Sequence, residues 1–259
     1  LGPAVFGQMS YLNSIFQQIF SFLDLGFINY FYTRFASNSK DSLISTFYII
    51  YFFAISGLIF LFTVVILTTD LWLVFSIGAS EYFLYSFFWA LLFTLTLIFD
   101  KCADALGLTV RAEKIRISNK IFFAFLLVFL LYSTDFNLRI YFYYMFALYL
   151  SLLIQFYFLF IGVNEKIFSQ LREVLQKFKE LFFEFLQNSK HLITLISLGS
   201  IAIVIDRWLL QFVGGDEQQG FYAFAYLLAS ICMIFTSAFI PLIWREITFN
   251  LSADNKPYL

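Results

Sequence analysis

Two charged side chains, Asp206 and Arg207, stand side by side in the otherwise apolar run IAIVIDRWLL. An ionised Asp or Arg at the centre of a membrane helix costs about 2.5–3.5 kcal/mol on insertion scales, so such groups face a bundle interior or a wet cavity. Successive helical side chains point about 100° apart, which lets Arg207 face one way and Asp206 another. In that arrangement Arg207 offers a fixed positive charge to an anionic substrate. Asp206, or Asp24 near the start of the chain, is a group able to bind a coupling proton or sodium ion. An ion pair between helices is the alternative for the Asp206 and Arg207 charges. Asp24 ends a stripe of Ser10, Ser14, Gln17 and Ser21, at spacings of 4, 3, 4 and 3, that shares one helical face. This face lines a cavity or bonds to a neighbouring helix. Thr194, Ser197, Ser200 and Gln211 lie close to the stripe of Arg207. Thr96, Asp100, Asp104 and Arg111 align on a helix read as continuing to about Arg116, with the two acids paired to Lys101 and Arg111 at the interface. The chain has one histidine, His191, and no His/Cys cluster, phosphate loop, nucleophile elbow or dinucleotide fingerprint, so no catalytic or metal-binding residue, and no enzyme, is expected.

The elements that position these groups follow from composition. Of 259 residues, 61% are hydrophobic and 13% charged, with 39 phenylalanines and a mean hydropathy of +0.84. A soluble domain carries about 25% charged residues. The reading is a membrane protein, which excludes soluble enzymes, nucleic-acid readers and disordered tails. A net charge of −1 says nothing about partners. Cys102 and Cys232 lie in or beside apolar runs, where a thiol acts as a small hydrophobe. The chain opens at Leu1 without a signal-peptide pattern and is read as a fragment. An all-α polytopic bundle is expected, with seven spans near 5–32, 43–67, 82–104, 117–134, 138–162, 191–213 and 219–243. Fourteen of the sixteen Lys and Arg residues then fall on one side, Arg139 falls on the other and Arg207 lies inside a span. The basic side is read as cytoplasmic, so the chain starts outside and ends inside.

Between the fifth and sixth spans, Ile167, Leu171, Val174, Phe178, Leu181 and Phe185 recur every three or four residues, an amphipathic helix expected on the cytoplasmic surface. A repeat is also visible. Gly2-x4-Gly7 precedes an apolar helix ending at Arg34, and Gly215-x4-Gly220 precedes one ending at Arg245, with 27 and 25 residues from glycine to arginine. Two such turns leading into helices of one direction are what two similar bundles related by an axis along the membrane normal would give. The expected organisation is a first bundle over 1–163, a connector over 164–190 and the start of a second bundle over 191–259. Pro241 is expected to kink the last span.

The stretch LGPAVFGQMSYL followed by FLDLGFINYFYTRFAS, and the later IVIDRWLLQFVGGDEQQGFYAFAYLLASI, resemble polysaccharide-export proteins. These are the oligosaccharide and O-antigen flippases of the multidrug/oligosaccharidyl-lipid/polysaccharide superfamily. The resemblance implies helices two through eight of a transporter of twelve to fourteen helices, built as two bundles around a cavity. It implies transfer of an undecaprenyl-pyrophosphate-linked sugar repeat unit across the bacterial inner membrane by alternating access. Arg34, Arg207 and Arg245, with Gln17, would border the substrate, and Asp24 and Asp206 would serve proton or sodium coupling. No cofactor is implied. The partners would be the lipid-linked oligosaccharide, membrane lipids and other polysaccharide-assembly proteins, with no nucleic acid. Two rivals are a membrane-embedded O-antigen polymerase, which usually needs a large outer loop, and a multidrug exporter of the same superfamily, which should favour acidic cavity residues.

Overall fold

The structure, a computed structural model, describes residues 2–24, 26, 42–69, 81–105, 108–134, 137–161 and 171–254; at 23, 42–45, 105, 161, 171–173 and 231–254 the description is of the backbone. Regular structure among these residues is helical throughout: α1 (Pro3–Asp24), α2 (Ser42–Thr68), α3 (Glu81–Ala105), α4 (Thr109–Ser133), α5 (Leu138–Ile161) and α6 (Leu171–Asp254). Five of the six, α2 to α6, are long and apolar enough to cross a bilayer, which makes this a multi-pass helical membrane protein. Several of their hydroxyls close on their own backbone. Ser56, Thr63 and Thr94 each donate to the carbonyl four residues earlier, at 2.8 Å.

This differs from the expected seven-helix, two-bundle arrangement. Gln8, Ser10, Asn13, Ser14, Gln17, Gln18, Ser21 and Asp24 keep α1 too polar to count among the apolar spans. The sixth and seventh expected spans both belong to α6, whose helical course breaks at Gly215 with φ of 69° and ψ of −171°. Such a φ is open to glycine at little cost. Sixteen residues of straight helix would cover about 24 Å, yet the Tyr222 hydroxyl lies 3.0 Å from Asp206 Oδ2. The chain therefore folds back at Gly215 into two arms. A second difference concerns the helix expected to run through to Arg116. It stops at Ala105 and α4 begins at Thr109, with the Leu108 N–H donating to the Ala103 carbonyl at 2.8 Å.

Helix α1 packs most extensively on α6 and also touches α2 and α3. A Cβ at Gly7 would collide with the Asp216 carbonyl, while one at Gly26 would meet Leu192 and Ile196, so α1 runs antiparallel to the first arm of α6. A Cβ at Gly220 would in turn collide with the Pro3 carbonyl. Pro3 follows Gly2 as Asp216 follows Gly215, so the two glycine turns meet through reciprocal contacts, the mark of a local two-fold. Elsewhere the interior is aromatic. Phe16 packs edge-on against Phe83, with centroids 5.8 Å apart, and Tyr82, Trp89 and Phe99 meet Phe142, Tyr149 and Phe156 in sequence order, which makes α3 and α5 parallel.

The apolar stripe before residue 190 packs on α2. Phe178 sits 5.0 Å from Phe47, Tyr51 meets Phe182 and Phe185, and Val174 and Phe185 are fully buried. Aromatic rings on α2 offer this stripe a protein partner with complementary shape and quadrupole.

Candidate functional site

The fold at Gly215 brings together residues that are distant along a straight helix. From the first arm come Asp206, Arg207 and Gln211; from the second come Asp216, Gln219, Tyr222 and Tyr226. Arg207 is only 7% exposed. Its guanidinium carbon lies 4.5 Å from the centroid of Tyr222 and 5.8 Å from that of Tyr226. Rings at this range stabilise a desolvated cation by about 2 kcal/mol. Nη1 is buried without a hydrogen-bond partner. Asp206 is exposed and accepts from the Tyr222 hydroxyl. The neighbouring charges thus share one tyrosine in place of an ion pair.

Further along the arm, the Gln211 amide donates to Asp216 Oδ1, and its own Oε1 is unpartnered. Gln219 lies one turn before Tyr222, is fully buried, and has neither amide atom partnered. Leaving a buried donor or acceptor unmet costs about 1–3 kcal/mol, and four such atoms fall on these two arms: Arg207 Nη1, Gln211 Oε1 and both amide atoms of Gln219. A fixed positive charge with an unpartnered N–H, on a helix pair that also carries the unmet amides of Gln211 and Gln219, has the chemistry an anion receptor needs. Gln219 was missed in the sequence because GGDEQQG reads as a solvated turn.

The other expected residues are dispersed. Gln17 is half-buried on α1. Asp24, at the end of α1, accepts from the Tyr48 hydroxyl at 3.4 Å and borders a void of about 10 Å³ together with Phe20, Tyr51, Phe52, Ile55 and Thr94. Arg207 is not among the residues that line this void. Arg34 lies outside the described residues. Arg245 falls on the second arm of α6, and its side chain, like that of Pro241, is outside the description. Asp100 takes Arg116 Nη1 at 2.6 Å, and Glu113 takes the other terminal nitrogen, where the sequence pointed to Lys101 or Arg111. The break between α3 and α4 explains this: Arg116 comes back alongside α3 on the next helix.

A groove of about 440 Å³ lies between α1, α2 and the first arm of α6. It is apolar. Ile19, Phe22, Leu58, Ile59, Phe62, Ile201, Val204 and Ile205 line it together with Gln18 and Ser200. Gln17, expected to border a polar passage, is not among its lining residues. Ser200, Val204, Arg207 and Gln211 follow at i, i+4, i+7 and i+11, so one face of the arm leads from the groove to the cation. Among the described residues, no group of three His, Cys, Asp or Glu side chains converges as a metal site would require. No known protein family, curated protein or solved structure matches the chain.

Proposed function

We propose that the protein is a flippase that moves an undecaprenyl-pyrophosphate-linked oligosaccharide across the bacterial inner membrane by alternating access. The observation that carries this reading is Arg207: a cation almost wholly buried in an apolar helix pair, with an unpartnered N–H, one helical face on from an apolar groove. A pyrophosphate cannot cross hydrocarbon bare, and a guanidinium matches its geometry with paired donors. Gln211 and Gln219 supply further bonds to phosphate or sugar. No covalent bond is made or broken, so direction comes from an ion gradient, with Asp206 or Asp24 as the coupling acid, or from consumption of the product. A multidrug exporter of the same superfamily calls for an acidic group at this depth, and the buried charge here is basic. The excess of Lys and Arg at the loops of one side supports a start outside and an end in the cytoplasm.

The test is Arg207→Ala in the full-length protein, expressed at the wild-type level. Surface polysaccharide should be lost, and Arg207→Lys should retain part of it, because the charge remains while the planar fork does not. Wild-type export by the alanine variant would remove the proposal.

A further inference from the structure

We infer that the groove between α1, α2 and the first arm of α6 holds a hydrocarbon chain of the transported lipid, with its anionic headgroup at Arg207. The inference rests on the reading of Arg207 as the headgroup cation and adds where the chain goes. The floor of the groove is closed by Ile59 and Ser200, which are 2% and 4% exposed. Its walls are open: Leu58, Phe62 and Ile205 are more than half or about half exposed on helices that cross the bilayer. The opening therefore faces sideways, where a lipid arrives. A volume near 440 Å³ falls within the range of about 300–1,000 Å³ typical of small-molecule sites.

The lining has no charged side chain, which excludes the headgroup from the groove itself. Charge complementarity selects the lipid. Val204 is the last groove residue on the face that continues to Arg207, three residues and about 4.5 Å further along the helix. A chain seated against Val204 brings its first polar group to Arg207, a buried cation with an unpartnered N–H. In a bilayer the chain gains almost no hydrophobic free energy on leaving lipid for protein, because lipid is as apolar as the groove. The groove consequently contributes position and selectivity, and the headgroup contact contributes affinity.

The experiment uses the full-length protein in nanodiscs and a polyprenyl pyrophosphate carrying a diazirine on its chain, with labelled peptides identified by mass spectrometry. Label should fall on groove residues of α1, α2 and α6. Val204→Trp, which fills the groove, should cut that label about tenfold or more and leave binding of inorganic pyrophosphate within about twofold of wild type. Leu58→Trp, on the open wall, should act in the same direction and covers the case in which the first variant misfolds. Arg207→Gln should lose both label and pyrophosphate binding. Unchanged labelling in both tryptophan variants, or label confined to other helices, overturns the chain site while the anion reading stands if Arg207→Gln still loses pyrophosphate. Equal labelling by the matching polyprenol, which has no phosphate, overturns the link to Arg207. Equal labelling by a diazirine phosphatidylglycerol shows ordinary lipid in the groove and overturns the choice of occupant.

Discussion

The α4 and α5 pair and the α1 and α6 pair both bury polar side chains, and they treat them differently. In the first, Asn119 is 3% exposed and fully used: its Nδ2 donates to the Leu148 carbonyl at 3.2 Å, and its Oδ1 accepts from Ser151 at 2.9 Å and Gln155 at 3.0 Å. Gln155 also donates to Ser151. In the second, Asn13 Oδ1, Arg207 Nη1, Gln211 Oε1 and both amide atoms of Gln219 are buried and unpartnered. A closed network holds two helices in register. An open one costs stability, and a protein tolerates that cost where the groups have another use. On the proposed function, the contrast gives α4 and α5 the part of support and the α1 and α6 side that of transport.

If the α1 and α6 side is joined through backbone proximity, its glycines should be the most sensitive positions in the molecule. Gly7→Leu or Gly220→Leu pushes a side chain into a carbonyl that cannot rotate away, and should lower stability by about 3 kcal/mol or more. Gly57→Ala and Gly199→Ala, where a Cβ meets open space, should stay within about 0.5 kcal/mol of wild type. Denaturation in detergent, followed by helical circular dichroism, measures all four. Equal losses at Gly7 and Gly199 would remove the close-contact account.

Next in size is a pair of buried polar replacements. Asn119→Leu removes the bonds from Ser151 and Gln155 and the one to the Leu148 carbonyl, and should cost about 1–2 kcal/mol while the folded fraction keeps its export activity. Arg207→Met removes an unmet charge and two ring contacts, so stability should stay within about 1 kcal/mol of wild type, or rise, while export is lost. The opposite pattern, with export surviving at Arg207 and failing at Asn119, would reverse the roles of the two interfaces.

Much of this was legible in the chain. Uninterrupted apolar runs located α2 and α5 to within a few residues, because a span must be long and apolar whatever surrounds it. Arg207 stood out because a charge in IAIVIDRWLL has no local explanation, and the Gly215 turn because two glycines adjoin acidic and amide residues. The rest depends on neighbours. Periodicity assigns a residue to a face of its own helix and not to a partner, so the Asn119, Ser151 and Gln155 network, spread over two helices, left no pattern. The groove was equally invisible, since Leu58, Phe62 and Ile205 read like any lipid-facing residue. A continuous helix points Asp100 and Asp104 to Arg111, and the separate start of α4 at Thr109 brings Arg116 to Asp100.

The smallest effect offers the cleanest comparison, because one oxygen atom is removed on each side. The Tyr144 hydroxyl donates to the Phe123 carbonyl at 3.0 Å across α4 and α5, whereas the Tyr11 hydroxyl on α1 is buried without a partner. Tyr144→Phe should therefore cost about 0.6 kcal/mol, the average for such bonds between membrane helices. Tyr11→Phe deletes a desolvated, unmet group from a fully buried ring and should be neutral or stabilising. Measured in the same detergent, the two variants differ in sign if polar satisfaction separates the interfaces. A loss at Tyr11 equal to that at Tyr144 would mean that water or a lipid headgroup already serves the α1 side, and the unmet groups around Arg207 would then belong to a hydrated surface.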